Sequence, residues 1–167
     1  MISKKITLIG DFSAGKTSLI RRFVDNQFSD KYLSTIGVKI SKKEIPTDTN
    51  IIQGLIWDIE GGTPTKPINK TYLRGMHGCI IVADITREET INSIESYIQI
   101  ANEIVPNVPL VIALNKSDKM DETQVKISLD NLQSKYENRY KIFDTSAKTG
   151  LNVENLFSTL ANSILTR

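Results

Sequence analysis

The sequence predicts a three-layer α/β fold, with a mostly parallel sheet, helices on both faces and one antiparallel strand at the sheet edge. Three observations predict it. Short, continuously apolar runs such as Cys79-Ile80-Ile81-Val82 and Leu110-Val111-Ile112-Ala113-Leu114 read as strands buried on both faces. Stretches with apolar residues at helical spacing alternate with them. Finally, the runs near 38–41 and 51–58 are joined by Pro46-Thr47-Asp48-Thr49-Asn50, a turn that forces an antiparallel hairpin.

At 167 residues, with no internal repeat, low-complexity tract or linker, the chain is expected to form a single domain over 1–167. Lys and Arg number 21 against 19 Asp and Glu, so the net charge of +2 makes no case for nucleic acid or an acidic membrane as partner. The lone cysteine, Cys79, excludes an internal disulfide framework and suits a buried, inert strand thiol. No run approaches the ~20 apolar residues of a membrane span. Met1-Ile2-Ser3-Lys4-Lys5 has neither a signal-peptide core nor the glycine for myristoylation, and Leu165-Thr166-Arg167 offers no cysteine to prenylate. The expectation is a cytoplasmic monomer with no evident lipid anchor.

Taken in order, the elements begin with the apolar run Ile6-Thr7-Leu8-Ile9, followed at once by Gly10-Asp11-Phe12-Ser13-Ala14-Gly15-Lys16-Thr17-Ser18. A strand, then G-x-x-x-x-G-K-T, then helix formers is the order a phosphate-binding loop requires. Gly10 and Gly15 are expected to allow backbone angles that turn N–H groups inward, Lys16 to meet the phosphates, and Thr17 to ligate Mg²⁺. Ser18 to Phe28 reads as the first helix. Residues 29–36 are polar and irregular. The hairpin follows, and then Gly61 to Pro67, which cannot be regular until Pro67 opens a short helix. Gly78 to Asp84 is a buried strand. Thr86 and Glu89 read as a capping box for a helix carrying Ile91, Ile94, Ile98, Ala101 and Ile104 on one face. Leu110–Leu114 is the next strand. Val125, Leu129, Leu132 and Tyr136 stripe a further helix, Lys141 to Asp144 is a short strand, and Val153, Phe157, Leu160 and Ile164 mark the last helix.

Four polar signatures remain. In open α/β sheets ligands bind beyond the carboxyl ends of strands, and all four are expected to share that rim. Asp58-Ile59-Glu60-Gly61 ends the hairpin's return strand; Asp58 suits the surroundings of a Mg²⁺, and the Gly61 N–H suits close approach by a γ-phosphate. Asn115-Lys116-Ser117-Asp118 follows a strand, and the acceptor-only carboxylate of Asp118 matches the two adjacent donors of guanine, which adenine lacks. The Lys116 stem suits the ring face. In Thr145-Ser146-Ala147-Lys148, small residues allow a backbone N–H to reach the guanine carbonyl. The fourth signature lies in the irregular 29–36 stretch, where Thr35 would reach Mg²⁺ when a γ-phosphate is present, while Phe28 flanks the base and Tyr32 covers the phosphates. Lys16, Thr35 and Gly61 are the candidates to act at the terminal phosphate, and Thr17, Thr35 and Asp58 those for the metal.

With these residues in place, the chain resembles the Ras superfamily of small GTPases, and its Rab-like branch most closely. The likeness rests on Gly10–Thr17, Ser34-Thr35-Ile36-Gly37-Val38, Trp57-Asp58-Ile59-Glu60-Gly61, Tyr72-Leu73-Arg74-Gly75, Asn115–Asp118 and Thr145–Lys148, in family order and spacing. It implies a six-stranded sheet, GTP or GDP with Mg²⁺, and two loops, within 29–45 and 59–76, read by effectors, exchange factors and activating proteins. Three departures concern hydrolysis. Gly62 stands where the family carries the glutamine that positions water. Phe12 occupies a normally small position and would obstruct an arginine finger. Pro64 and Pro67 interrupt the second loop. Glu60 is the candidate to deputise for the glutamine.

Overall fold

The computed structural model describes residues 1–31 and 34–167; Tyr32 and Leu33, and with them the expected phosphate cover by Tyr32, lie outside the described residues. The described residues form one six-stranded sheet built from β1 (Ile2–Gly10), β2 (Val38–Pro46), β3 (Ile51–Ile59), β4 (Gly78–Asp84), β5 (Leu110–Asn115) and β6 (Lys141–Asp144). Its order is β2-β3-β1-β4-β5-β6. Every pairing is parallel except β2 with β3, so the hairpin places its antiparallel strand at the edge. Exposed Lys39 and Lys42 on β2 blunt that open edge against further pairing.

The continuous apolar runs are explained by two cores, one on each side of the sheet. Along β4, Ile80 and Val82 face the core with Leu19, Ile20 and Phe23 of α1 (Lys16–Asp25) and Leu156, Phe157 and Leu160 of α5 (Val153–Leu165). Cys79, Ile81 and Ala83 face the opposite core, with Ile94 and Ala101 of α3 (Ile94–Ile104) and Val125 and Leu132 of α4 (Glu122–Lys135). Phe23 and Phe157 stack at 3.9 Å between ring centroids, pinning α1 to α5. Such a pair adds roughly 0.5–1.5 kcal/mol beyond burial. The alternation of side chains across β4 therefore sets which helices cover which face.

Four local expectations are corrected. The first helix starts at Lys16 and ends at Asp25, because Asn26 adopts a left-handed φ of 50° and its N–H closes on Arg21 and Arg22 carbonyls. Phe28 is therefore outside the helix and free to face the rim. Thr86 does not cap: its N–H and hydroxyl both donate to Asp84 Oδ1, at 2.9 and 2.6 Å, and α2 (Glu88–Asn92) begins after Arg87. The expected single helix breaks at Ser93, which separates α2 from α3. Pro67 opens no helix; a 3₁₀ turn at Lys70–Leu73 is started by Asn69, whose side chain accepts from the Thr71 N–H.

Candidate functional site

Beyond the carboxyl ends of β1, β3, β5 and β6 the rim encloses a cavity of about 230 Å³. The loop after β1 supplies Phe12, Ser13, Gly15, Lys16, Thr17 and Ser18, and the far wall supplies Asn115, Lys116, Asp118, Ala147 and Lys148. Phe28, Thr35 and Gly61 complete the lining among the expected residues. The cavity also takes in Ser34 and Ile59 from the quoted motifs, and Ser29, Asp30, Lys31 and Lys119, which no motif marks.

The two loop glycines do different work. Gly15 holds φ at 98° and is the residue that turns the chain into α1. Gly10 has no such angle; a Cβ there would lie 2.3 Å from the Val82 carbonyl oxygen, so it is required by the close approach of β4. This corrects the expectation that both glycines serve backbone angle alone. Ser13 takes a positive φ of 67° in the same turn. Ala14 is fully buried behind the loop.

Lys16 is buried, its ammonium held by the carbonyls of Gly10 at 3.4 Å and Asp11 at 3.2 Å. Burial pushes its pKa down to about 8, opposed by the charges of Asp58 and Asp11. The Gly61 backbone lies against it, since a Cβ on Gly61 would come within 2.9 Å of Nζ.

Thr17, Thr35 and Asp58 converge below Lys16. The two hydroxyls lie 2.5 Å apart, and each donates to Asp58 Oδ2, at 2.6 and 2.9 Å. Asp58 is buried, and its Oδ1 has no hydrogen-bond partner among the described residues. A buried carboxylate oxygen left unpaired is costly unless a donor or cation meets it. Two hydroxyls and one carboxylate make a hard-oxygen donor set, which fits Mg²⁺. When bound, that ion supplies positive charge against phosphate oxygens.

The Asn115–Asp118 and Thr145–Lys148 motifs lock to the loop after β1. Lys116 donates to the Ser13 carbonyl at 2.9 Å and pairs with buried Asp84 at 2.9 Å. Asn115 donates to the Ala14 carbonyl at 3.2 Å and accepts from Thr145 at 3.2 Å. Ser146 is turned toward Asp118, donating to its Oδ1 at 2.7 Å. Arg22 of α1 donates to the carbonyls of Ala147 at 2.7 Å and Lys148 at 2.6 Å, mooring that loop from below. Neither Arg22 nor Asp84 was anticipated. Arg22 lies one helical turn beyond Ser18 on the same face, and Asp84 ends an apolar strand at the same rim, so both carried a readable signal.

Two expected residues do not serve as anticipated. The Asp11 side chain turns away from the cavity and accepts from Tyr97 at 2.7 Å and Ser93 at 2.8 Å; only its carbonyl meets Lys16. Glu60 does not project toward the terminal-phosphate region. Its carboxylate accepts from the Gly37 N–H and from Lys66, each at 3.3 Å, and these bonds hold its pKa below the usual range. Phe12 lines the cavity and is 45% exposed, and its carbonyl accepts from Arg87 at 3.1 Å.

A family model described as the Ras family matches residues 5–166. The chain is 37% identical over 162 residues to the Ras-related protein Rab-1 of Theileria annulata, covering 96% of this chain and 73% of that protein. It is 39% identical over 163 residues to the Ras-related protein Rab-1 of Theileria parva, covering 96% and 73%. It is 36% identical over 165 residues to the Ras-related protein RABE1d of Arabidopsis thaliana, covering 98% and 76%.

Proposed function

The chain belongs to the Ras superfamily of small GTPases, on its Rab-like side, and from that premise we propose a switch that binds GTP and GDP with Mg²⁺ through the cavity residues and cleaves GTP slowly on its own. Residues 1–167 act as one G domain. The phosphate-loop amides and Lys16 hold the phosphates. Asp118, the Ala147 N–H and the Lys116 stem read guanine. Thr17, Thr35 and Asp58 hold the metal. Segments 29–45 and 59–76 present the nucleotide state to effectors, exchange factors and activating proteins.

Slow cleavage rests on Gly62. It is buried, its N–H donates to the Gly10 carbonyl at 3.1 Å, and its carbonyl accepts from the Phe12 N–H at 2.9 Å. It has no side chain to orient a water. Glu60, held by Gly37 and Lys66, does not replace it. The same Gly62, with Phe12 lining the cavity where an arginine from an activating protein would enter, supports a second reading, a GTP-bound interaction module that does not hydrolyse. An arginine finger is worth roughly 10³–10⁵ in rate. The test is to identify the copurifying nucleotide and follow single-turnover cleavage with Mg²⁺. Bound GDP and a rate below the ~3–5 × 10⁻⁴ s⁻¹ of a glutamine-bearing relative support the slow enzyme. Retained GTP with no phosphate release over many hours supports the module. Bound adenine nucleotide overturns both.

The Arg22 mooring gives a further expected result. Hydrogen bonds from a charged donor contribute roughly 1.5–3 kcal/mol each. Part of that is lost to water competition at this half-buried site. Arg22→Ala should therefore release guanine nucleotide about tenfold faster, read by displacement of a fluorescent GDP analogue, with the fold intact by circular dichroism. An unchanged release rate would show that the 145–148 loop holds its shape without α1.

A further inference from the structure

Gly62 does more than lack a side chain. It forms an isolated parallel bridge with Asp11, so the chain that leaves β3 at Ile59 is stitched again to the phosphate loop one residue beyond Gly61. Its φ is not in the left-handed region, so backbone angle does not require glycine there. Space does. A Cβ at position 62 would lie 2.5 Å from the Tyr97 hydroxyl oxygen and 3.3 Å from Ile68 Cγ2. Tyr97 is buried on α3, and its hydroxyl is committed to Asp11 Oδ1 while Ser93, at the break between α2 and α3, holds Oδ2. One carboxylate thus ties the helix break and α3 to the phosphate loop, and the loop's own backbone holds Gly62 under the Tyr97 hydroxyl. Burial, and then that same carboxylate, raise the phenol's pKa well above its ordinary value, so it remains a donor throughout the working range of pH.

We propose that Tyr97 is a positioning residue that clamps Gly62 onto the phosphate loop through Asp11, and that it excludes any larger residue from position 62. The absent glutamine is then one half of a coupled pair, and restoring it alone cannot restore its work. This rests on the GTPase reading only for its kinetic arm. The structural arm stands on the hydrogen bonds alone.

The test uses the full chain and the variants Gly62→Gln, Tyr97→Phe and the double substitution. Tyr97→Phe keeps the buried ring and removes only the oxygen that meets Asp11 and crowds position 62. In that variant the Gly62 and Phe12 amides should exchange with deuterium at least about tenfold faster by NMR, while those of β4 and β5 stay unchanged. With GTP, Gly62→Gln alone should cleave no faster than the parent, and the double variant at least about tenfold faster than Gly62→Gln. Unchanged Gly62 exchange in Tyr97→Phe, or equal rates for the single and double glutamine variants, overturns the proposal. Failure to bind guanine nucleotide would defeat the GTPase reading yet leave the exchange comparison to decide the clamp. Thermal melts check that each variant is folded, and a melted Gly62→Gln rescued by Tyr97→Phe supports the coupling directly.

Discussion

Asp118→Asn is expected to weaken GTP binding by at least roughly a hundredfold and to make xanthosine triphosphate the preferred nucleotide. The carboxylate lines the base end of the cavity, and Ser146 donates to its Oδ1 at 2.7 Å. That bond orients the carboxylate, and both oxygens keep a lone pair for the two donors of the base. Guanine presents a ring N–H and an exocyclic amine there, and each hydrogen bond to a charged acceptor contributes roughly 1.5–3 kcal/mol. In the variant, Ser146 holds the amide oxygen in the same place and turns the amide NH₂ toward the base. Two donors then face the guanine amine, whereas xanthine offers a carbonyl at that position. Competition against a fluorescent nucleotide at fixed Mg²⁺ and salt measures both affinities. Unchanged GTP affinity would remove Asp118 from base recognition, whatever the fate of xanthine.

The difference between what was legible in the sequence and what was not follows from the range of the interactions. The strands β4 and β5 were legible because burial on both faces leaves continuous apolar runs, and both are buried at every position. The phosphate loop was legible because its glycines, lysine and threonine act through local backbone. Gly10 shows the limit even there: its place was evident, but its reason, the carbonyl of Val82, comes from 72 residues away on a neighbouring strand. The same holds for Asp11. Its position in the motif pointed to the phosphates, and its side chain went instead to Tyr97, 86 residues on. Thr86 and Glu89 matched a capping box by spacing, yet Asp84 offered Thr86 a nearer and charged acceptor. Pro67 had a favourable angle for starting a helix, but Asn69 could accept the free N–H of Thr71, which proline cannot do. Local chemistry could be read wherever no other group, near or distant, competed for the same atoms or space.

Lys16→Ala carries the largest expected loss, roughly a thousandfold in GTP affinity, because one ammonium about 4 Å from a phosphate charge is worth ~4 kcal/mol at an effective dielectric of 20. The alanine variant should still fold, since without nucleotide the ammonium is a burden on the structure. Burial has lowered its pKa from 10.5 to about 8, so the folded, nucleotide-free chain gives up this proton more readily than the unfolded chain does. The group's contribution to stability is therefore unfavourable below pH 8, by roughly 3 kcal/mol, and that penalty disappears as pH rises from about 8 toward 10.5. Phosphate reverses the sign by giving the charge a partner. Nucleotide binding should take up a proton above pH 8, and affinity should fall about tenfold for each further pH unit while staying nearly flat below pH 7. Calorimetry at pH 8.5 in two buffers of different ionisation enthalpy measures that uptake. Lys16→Arg supplies the control, since a guanidinium remains charged throughout and should abolish the uptake whatever it does to affinity. Proton uptake that persists in Lys16→Arg would assign the titration to another group and leave Lys16 charged in the empty pocket.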